Sequence, residues 1–230
     1  MRMIESKSRV LMMVAAVATL STIAPAPVHG QMAGQGRDGK FADSWFWGAK
    51  GGTMSVRTNE QNSWAPTAGL EWLITRERTA LQMTLAHGFF SNVAVSVLDT
   101  TSSSGIRDVR VSDYRQASIG ILAFPVEING LRPYAGIGVA LNIIRRAEPN
   151  GLFNDLTSLY EVADRVERQR SRVSPLITVG AQAQWGSVAL FGQATALPTK
   201  RDFLLNGSSS VLSFDAGLRF NVAKAVERLK

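Results

Sequence analysis

Residues 131–144 read LRPYAGIGVALNII, and this stretch decides the fold. Leu131, Pro133, Ala135, Ile137, Val139, Leu141 and Ile143 fall on one side of an extended chain. Arg132, Tyr134, Gly136, Gly138, Ala140 and Asn142 fall on the other. Successive side chains point to opposite faces of a strand, so the pattern predicts a strand with an apolar medium on one face. Strands of soluble sheets usually run to about five or six residues, whereas a tilted strand needs about 9–11 to cross a bilayer. This stretch is long enough to cross, and Ile137, Val139 and Leu141 are expected to face lipid.

Seven further segments surround it: Trp45–Thr58, Trp64–Thr75, Thr79–Leu98 and Val111–Ile128 before, then Arg172–Trp185, Val188–Leu197 and Ser209–Val222 after. In the second, Ala68, Leu70, Trp72 and Ile74 oppose Thr67, Gly69, Glu71 and Leu73. In the last, Leu212, Phe214, Ala216, Leu218 and Phe220 oppose Ser213, Asp215, Gly217 and Arg219. A soluble sandwich would alternate in the same way, so the connections carry more weight. Short ones, at 76–78, Asn129-Gly130 and Gly186-Ser187, take turns with longer polar ones at 59–63, 99–110, 145–171 and 198–208. Asn-Gly supplies the positive φ of a type I′ hairpin. In an up-and-down barrel, alternate connections share a rim, and short inner turns with long outer loops are the anatomy of an outer-membrane barrel. Trp45, Trp47, Trp72 and Trp185 fall at the short-turn rim with Phe124, Tyr134 and Phe220, and Trp64 at the long-loop rim, where indoles favour the lipid–water boundary.

The fold expected is therefore all-β: an eight-stranded antiparallel up-and-down transmembrane β-barrel with one helical loop insertion. It occupies residues 45–222, after a signal peptide (1–30) and a flexible leader (31–44), and before a short periplasmic tail (223–230). The signal peptide rests on Arg2, Lys7 and Arg9, then the apolar run VLMMVAAVATL at 10–20, then a segment rich in Ala and Pro with cleavage before Gln31. Export removes nucleic acid from consideration as a partner, although the formal charge is +7. With no Cys and two His, disulfides, thiol nucleophiles and multi-histidine metal sites are excluded, and no cofactor or metal is expected.

The last segment contains Asp215-Ala-Gly217-Leu-Arg-Phe220-Asn-Val222. It resembles the C-terminal insertion signal of outer-membrane barrels: polar, any, Gly, any, any, aromatic, any, apolar. With the export signal and loop pattern, the chain resembles the small eight-stranded outer-membrane β-barrel proteins, in the size class of the outer membrane protein A transmembrane domain. That resemblance implies recognition of Asp215, Gly217, Phe220 and Val222 by the barrel-insertion machinery. In the family the signal usually ends the chain, whereas here residues 223–230 follow.

Three groups of residues could carry chemistry. Lys50, Glu71, Arg132, Asp215 and Arg219 fall on the inward face, where they must pair, because an isolated buried charge costs several kcal/mol. Leu152, Leu156, Leu159, Ala163 and Val166 recur at helical spacing in the third long loop, with Asn154 and Asp155 as caps. Arg165, Arg168 and Arg170 on this helix are expected to meet phosphates of outer-membrane lipid. His87 is the one histidine left after export, and Ser91 lies four residues on, too far along a strand for hydrogen bonding. No enzyme is expected, and the role is structural, surface-contact or narrow-pore. An outer-membrane lipid hydrolase using His87 and a secreted soluble β-barrel binding an apolar ligand are the alternatives.

Overall fold

The computed structural model describes residues 41–224 other than 100, 101, 103, 104, 152, 154, 155, 199–202, 206 and 209. The expected signal peptide, residues 31–40 of the expected leader and residues 225–230 of the expected tail lie outside the described residues. The strands are β1 (Ser44–Arg57), β2 (Asn62–Arg76), β3 (Thr79–Gly88), β4 (Val93–Leu98), β5 (Ile106–Ala123), β6 (Leu131–Pro149), β7 (Ser171–Trp185), β8 (Val188–Pro198) and β9 (Ser210–Lys224). One α-helix, α1 (Leu156–Arg170), precedes β7.

Every pairing is antiparallel, and β9 returns to β1, so the sheet closes into a barrel. Both β3 and β4 pair with β5, which makes them two lengths of one wall position and gives eight positions. The expected continuous strand Thr79–Leu98 is therefore broken. Gly88 stands opposite Tyr114 and Val93 opposite Val111, so residues 89–92 span only 112–113 on the neighbour. Asn92 and Asp113 both have positive φ, 60° and 55°, which Asn and Asp accept more readily than most residues.

The fourth strand is displaced from its expected bounds, running over Ile106–Ala123 instead of Val111–Ile128. Asn129 and Gly130 do turn with φ of 50° and 82°, but only a bridge from Ile128 to Leu131 flanks them. Residues 124–127 leave the sheet instead. There Phe124 N donates to Arg78 O at 2.7 Å and its ring packs inward.

The outer wall carries Ile137, Val173, Ile121, Ile177, Val179 and Val139, all exposed, as the alternation predicted. So broad an apolar exterior does not suit a soluble barrel. Trp45, Trp47, Trp185 and Phe220 lie on this face at the short-turn rim, and Trp64 at the other, stacked 5.9 Å from Phe214. Phe124 and Tyr134 depart from expectation. Both point inward and join Phe41, Phe46, Leu73, Ala80 and Leu122 in an apolar plug at the short-turn mouth. Phe41, at the end of the segment expected to be a flexible leader, sits 4.5 Å from Phe124, and Thr75 Oγ1 donates to its carbonyl.

A second apolar cluster fills the long-loop half. Val93, Val95 and Val97 of β4, Val109 and Val111 of β5, Ile144 of β6 and Phe203, Leu204 and Leu205 of the last loop all bury there. Helix α1 closes it with Ser158, Val162 and Val166, one face at four-residue spacing. The expected stripe is only partly right. Leu156 is exposed, Val166 is buried, and Leu152 with the proposed caps Asn154 and Asp155 lies outside the described residues.

Candidate functional site

Between the two apolar clusters the barrel interior is ionic. Lys50 Nζ lies 2.9 Å from Asp215 Oδ2, and Thr67 Oγ1 donates to the other oxygen of Asp215 at 2.9 Å. Arg219 Nε donates to Glu71 Oε1, and its Nη1 to Gln182 Oε1. Gln82 Nε2 donates to the second oxygen of Glu71 at 3.1 Å. The Arg219 guanidinium lies 3.9 Å from the Phe191 ring centroid. Both carboxylates thus gain a cation and a neutral donor, the condition under which a buried pair is tolerated. Register explains the meeting: Lys50 stands opposite Gly217 and Gly48 opposite both Glu71 and Arg219, so β1 brings its two neighbours' charges together.

Arg132 is not part of this layer, although the alternation places it inward. It sits at the short-turn mouth, donates to Glu127 Oε2 at 2.8 and 3.1 Å and to Gln184 Oε1 at 3.0 Å, and covers the Phe41 ring. Glu127 was beyond sequence reasoning, because it lies in the stretch that leaves the sheet.

Side chains fill the lumen at this level, and a pocket of about 10 Å³, about one water probe in size, is lined there by Lys50, Met54, Tyr114, Gln116 and Asp215 among others.

At the outer end, the β4 edge that faces away from β5 is met by side chains of the first loop. Asn59 Nδ2 donates to Ser96 O at 2.8 Å and Ser96 N to Asn59 Oδ1 at 3.0 Å. Thr58 Oγ1 donates to Ala94 O at 2.6 Å. An open strand edge is a template for foreign pairing, and these side chains occupy it.

The three helix arginines have partners of their own. Arg165 donates to Leu98 O, Arg168 pairs with Asp164, and Arg170 Nη2 lies 3.0 Å from Glu167 Oε1. His87 faces outward, its Nε2 3.6 Å from Asp113 Oδ1 and its ring 4.5 Å from Phe89. No serine hydroxyl bonds to His87 among the described residues. No cluster of three or more His, Asp or Glu able to hold a metal occurs among those residues either.

The signal residues lie on the strand that closes the barrel. Asp215 is the inward anion described above, and Phe220 and Val222 point outward. A Cβ on Gly217 would stand 2.2 Å from Ala49 O, so only glycine fits there. The strand runs two residues beyond Val222, and Ser44 pairs with Lys224.

No family model matches the chain, and no curated protein does. Among solved structures, Neisserial surface protein A aligns with a TM-score of 0.50 at 9% identity, covering 77% of this chain and 97% of that one. Ail, the attachment invasion locus protein of Yersinia pestis, aligns at 0.42 with 12% identity over 77% and 99% of the two chains. Outer membrane protein W of E. coli aligns at 0.40 with 16% identity over 78% and 98%. Strand count, closure, apolar exterior and the first of these likenesses agree: the chain has the fold of the small eight-stranded outer-membrane β-barrels.

Proposed function

We propose that this barrel is a sealed outer-membrane protein acting through its outer surface rather than a conducting pore. The observation that carries the reading is the filling of the interior among the described residues, where an apolar plug, an ionic layer and an outer apolar core follow one another along the lumen. Ion flow needs a continuous wet path, and an eight-stranded barrel has room only for side chains unless they move. Reconstitution of the full chain into planar bilayers tests it. No discrete unitary steps are expected, and reproducible steps that vanish with the protein would overturn the reading.

The same reading assigns no catalytic step: among the described residues the polar side-chain contact of His87 is with Asp113, at 3.6 Å. It assigns Asp215, Gly217, Phe220 and Val222 to recognition by the insertion machinery, supported by their place on the closing strand. Phe220→Ala should slow assembly in cells while unassisted refolding in detergent stays near wild type. Equal slowing in both would make Phe220 a packing residue only.

A further inference from the structure

Three neighbouring strands become irregular at one height. The wall breaks at 89–92 between β3 and β4, and Asp113 in β5 carries positive φ. Val111 and Tyr114 are both buried although three apart, and so is Ile144, while Ala147 packs on the same core. Strict alternation therefore fails at 112–113 and again at 145–146, and Arg145 and Arg146 are consecutive yet both exposed.

Register fixes what lies below and above. Just below, Leu85, Ala117 and Leu141 stand side by side on the outer face, and His87, Arg115 and Ile143 form the next row. Just above come Ser96, Asp108, Arg110 and Glu148. The irregular zone is thus where the exterior passes from apolar to polar, the level of lipid headgroups.

Arg115, Arg145 and Arg146 lie within three residues of one another in height, about 10 Å, on adjacent strands. All three are exposed, and no side-chain hydrogen bond or ion pair holds any of them among the described residues. Of the acids on these strands, Asp113 lies 3.6 Å from His87 and Glu148 stands opposite Arg110, which donates to Asn92 O at 3.4 Å. The helix arginines, by contrast, are each held by a partner. Guanidinium groups at the rim of an apolar wall suit phosphate, which they bind bidentately. The polar wall rising above them offers hydrogen-bonding groups where a simple phospholipid headgroup would already have ended.

We infer that Arg115, Arg145 and Arg146 form a site for the phosphates of a phosphorylated glycolipid of the outer leaflet, its sugars lying against the polar wall of β4–β6. This rests on the barrel standing in the outer membrane, and it is independent of whether the interior conducts.

The test uses the full mature chain, refolded in detergent micelles and titrated with diphosphoryl lipid A or with phosphatidylglycerol, bound lipid being read by native mass spectrometry. Wild type and R165Q/R168Q/R170Q should retain lipid A equally, whereas R115Q/R145Q/R146Q should bind it about tenfold or more weakly. Phosphatidylglycerol should bind wild type several-fold more weakly than lipid A. Unchanged binding by the wall variant, or an equal loss in the helix variant, overturns the assignment. Equal affinity for phosphatidylglycerol overturns the glycolipid and makes the source a phospholipid. Heat-modifiable migration verifies that each variant is folded. Should the triple wall variant fail that check, Arg145→Gln and Arg146→Gln alone should each weaken lipid A about threefold, and no loss in either overturns the site.

Discussion

In the middle of the barrel the wall is polar inside and apolar outside. Above Tyr114, the same run of strands is apolar inside and polar outside. Glu71 and Arg219 are fully buried in the first zone, where Ile137 and Val139 face out. Val95, Val109 and Ile144 are buried in the second, where Ser96, Asp108 and Glu148 face out. Leu98 and Ile106, at the tip of the β4–β5 hairpin, stay apolar and exposed, as do Phe89 at the break in the wall and Leu156 on the helix. Strands β5 and β6 run through both zones, and the surroundings decide which face carries which residues. Hydrocarbon leaves ions no place but the lumen, and water allows an ordinary core.

The inside of the lower zone should be the most sensitive part of this contrast. Glu71→Ala leaves Arg219 buried without its anion and should lower stability by about 3–5 kcal/mol. The urea midpoint of the refolded barrel in vesicles reads this, and an unchanged midpoint would mean that water reaches Arg219. Next comes the outside of the lower zone. Val139→Arg should cost about 2–4 kcal/mol if Val139 stands near the midplane, in the same titration. Third is the inside of the upper zone, where Ile144→Val removes one buried methylene and should cost about 0.5–1.5 kcal/mol. Smallest is the outside of the upper zone. Ile106→Arg should shift stability by less than about 0.5 kcal/mol, since Ile106 meets water. A cost at Ile106 matching that at Val139 would place the β4–β5 tip in lipid and erase the distinction between the zones.

The lower zone was legible because period-two alternation and ion pairing follow from residue types alone. Leu131–Ile143 and Val173–Trp185 face outward as the pattern required, and four of the five inward charges meet as pairs. The upper zone was not legible to the same degree. Its core draws on Phe203, Leu204 and Leu205, three apolar residues in a loop whose return over the mouth no local pattern encodes. The slip between β3 and β4 leaves each length alternating correctly, so the sequence reads as one strand. Ser91-Asn92 and Ser112-Asp113, turn-prone pairs inside strand patterns, were the available signal. Phe124 and Tyr134 show a related limit. Aromatic residues at a rim can belong to the girdle or to the plug, and only the register separates the two. Gly138 shows a further limit: a Cβ there would stand 2.3 Å from Ile119 O, so close strand approach rather than facing governs the position.

Helix α1 ends at Arg170 and β7 begins at Ser171, whereas residues 150–155 separate β6 from the helix. The helix therefore passes into β7 with no intervening residue, whereas six residues join it to β6. Anything pulling on the helix loads β7 directly, like a lever bolted to a stave. An epitope or tag spliced in at 150–151 would leave the direct junction of the helix with β7 untouched. The same insertion between 170 and 171 would uncouple Val162 and Val166 from the core they cover, although the two sites lie in one loop and look equally permissive in the sequence.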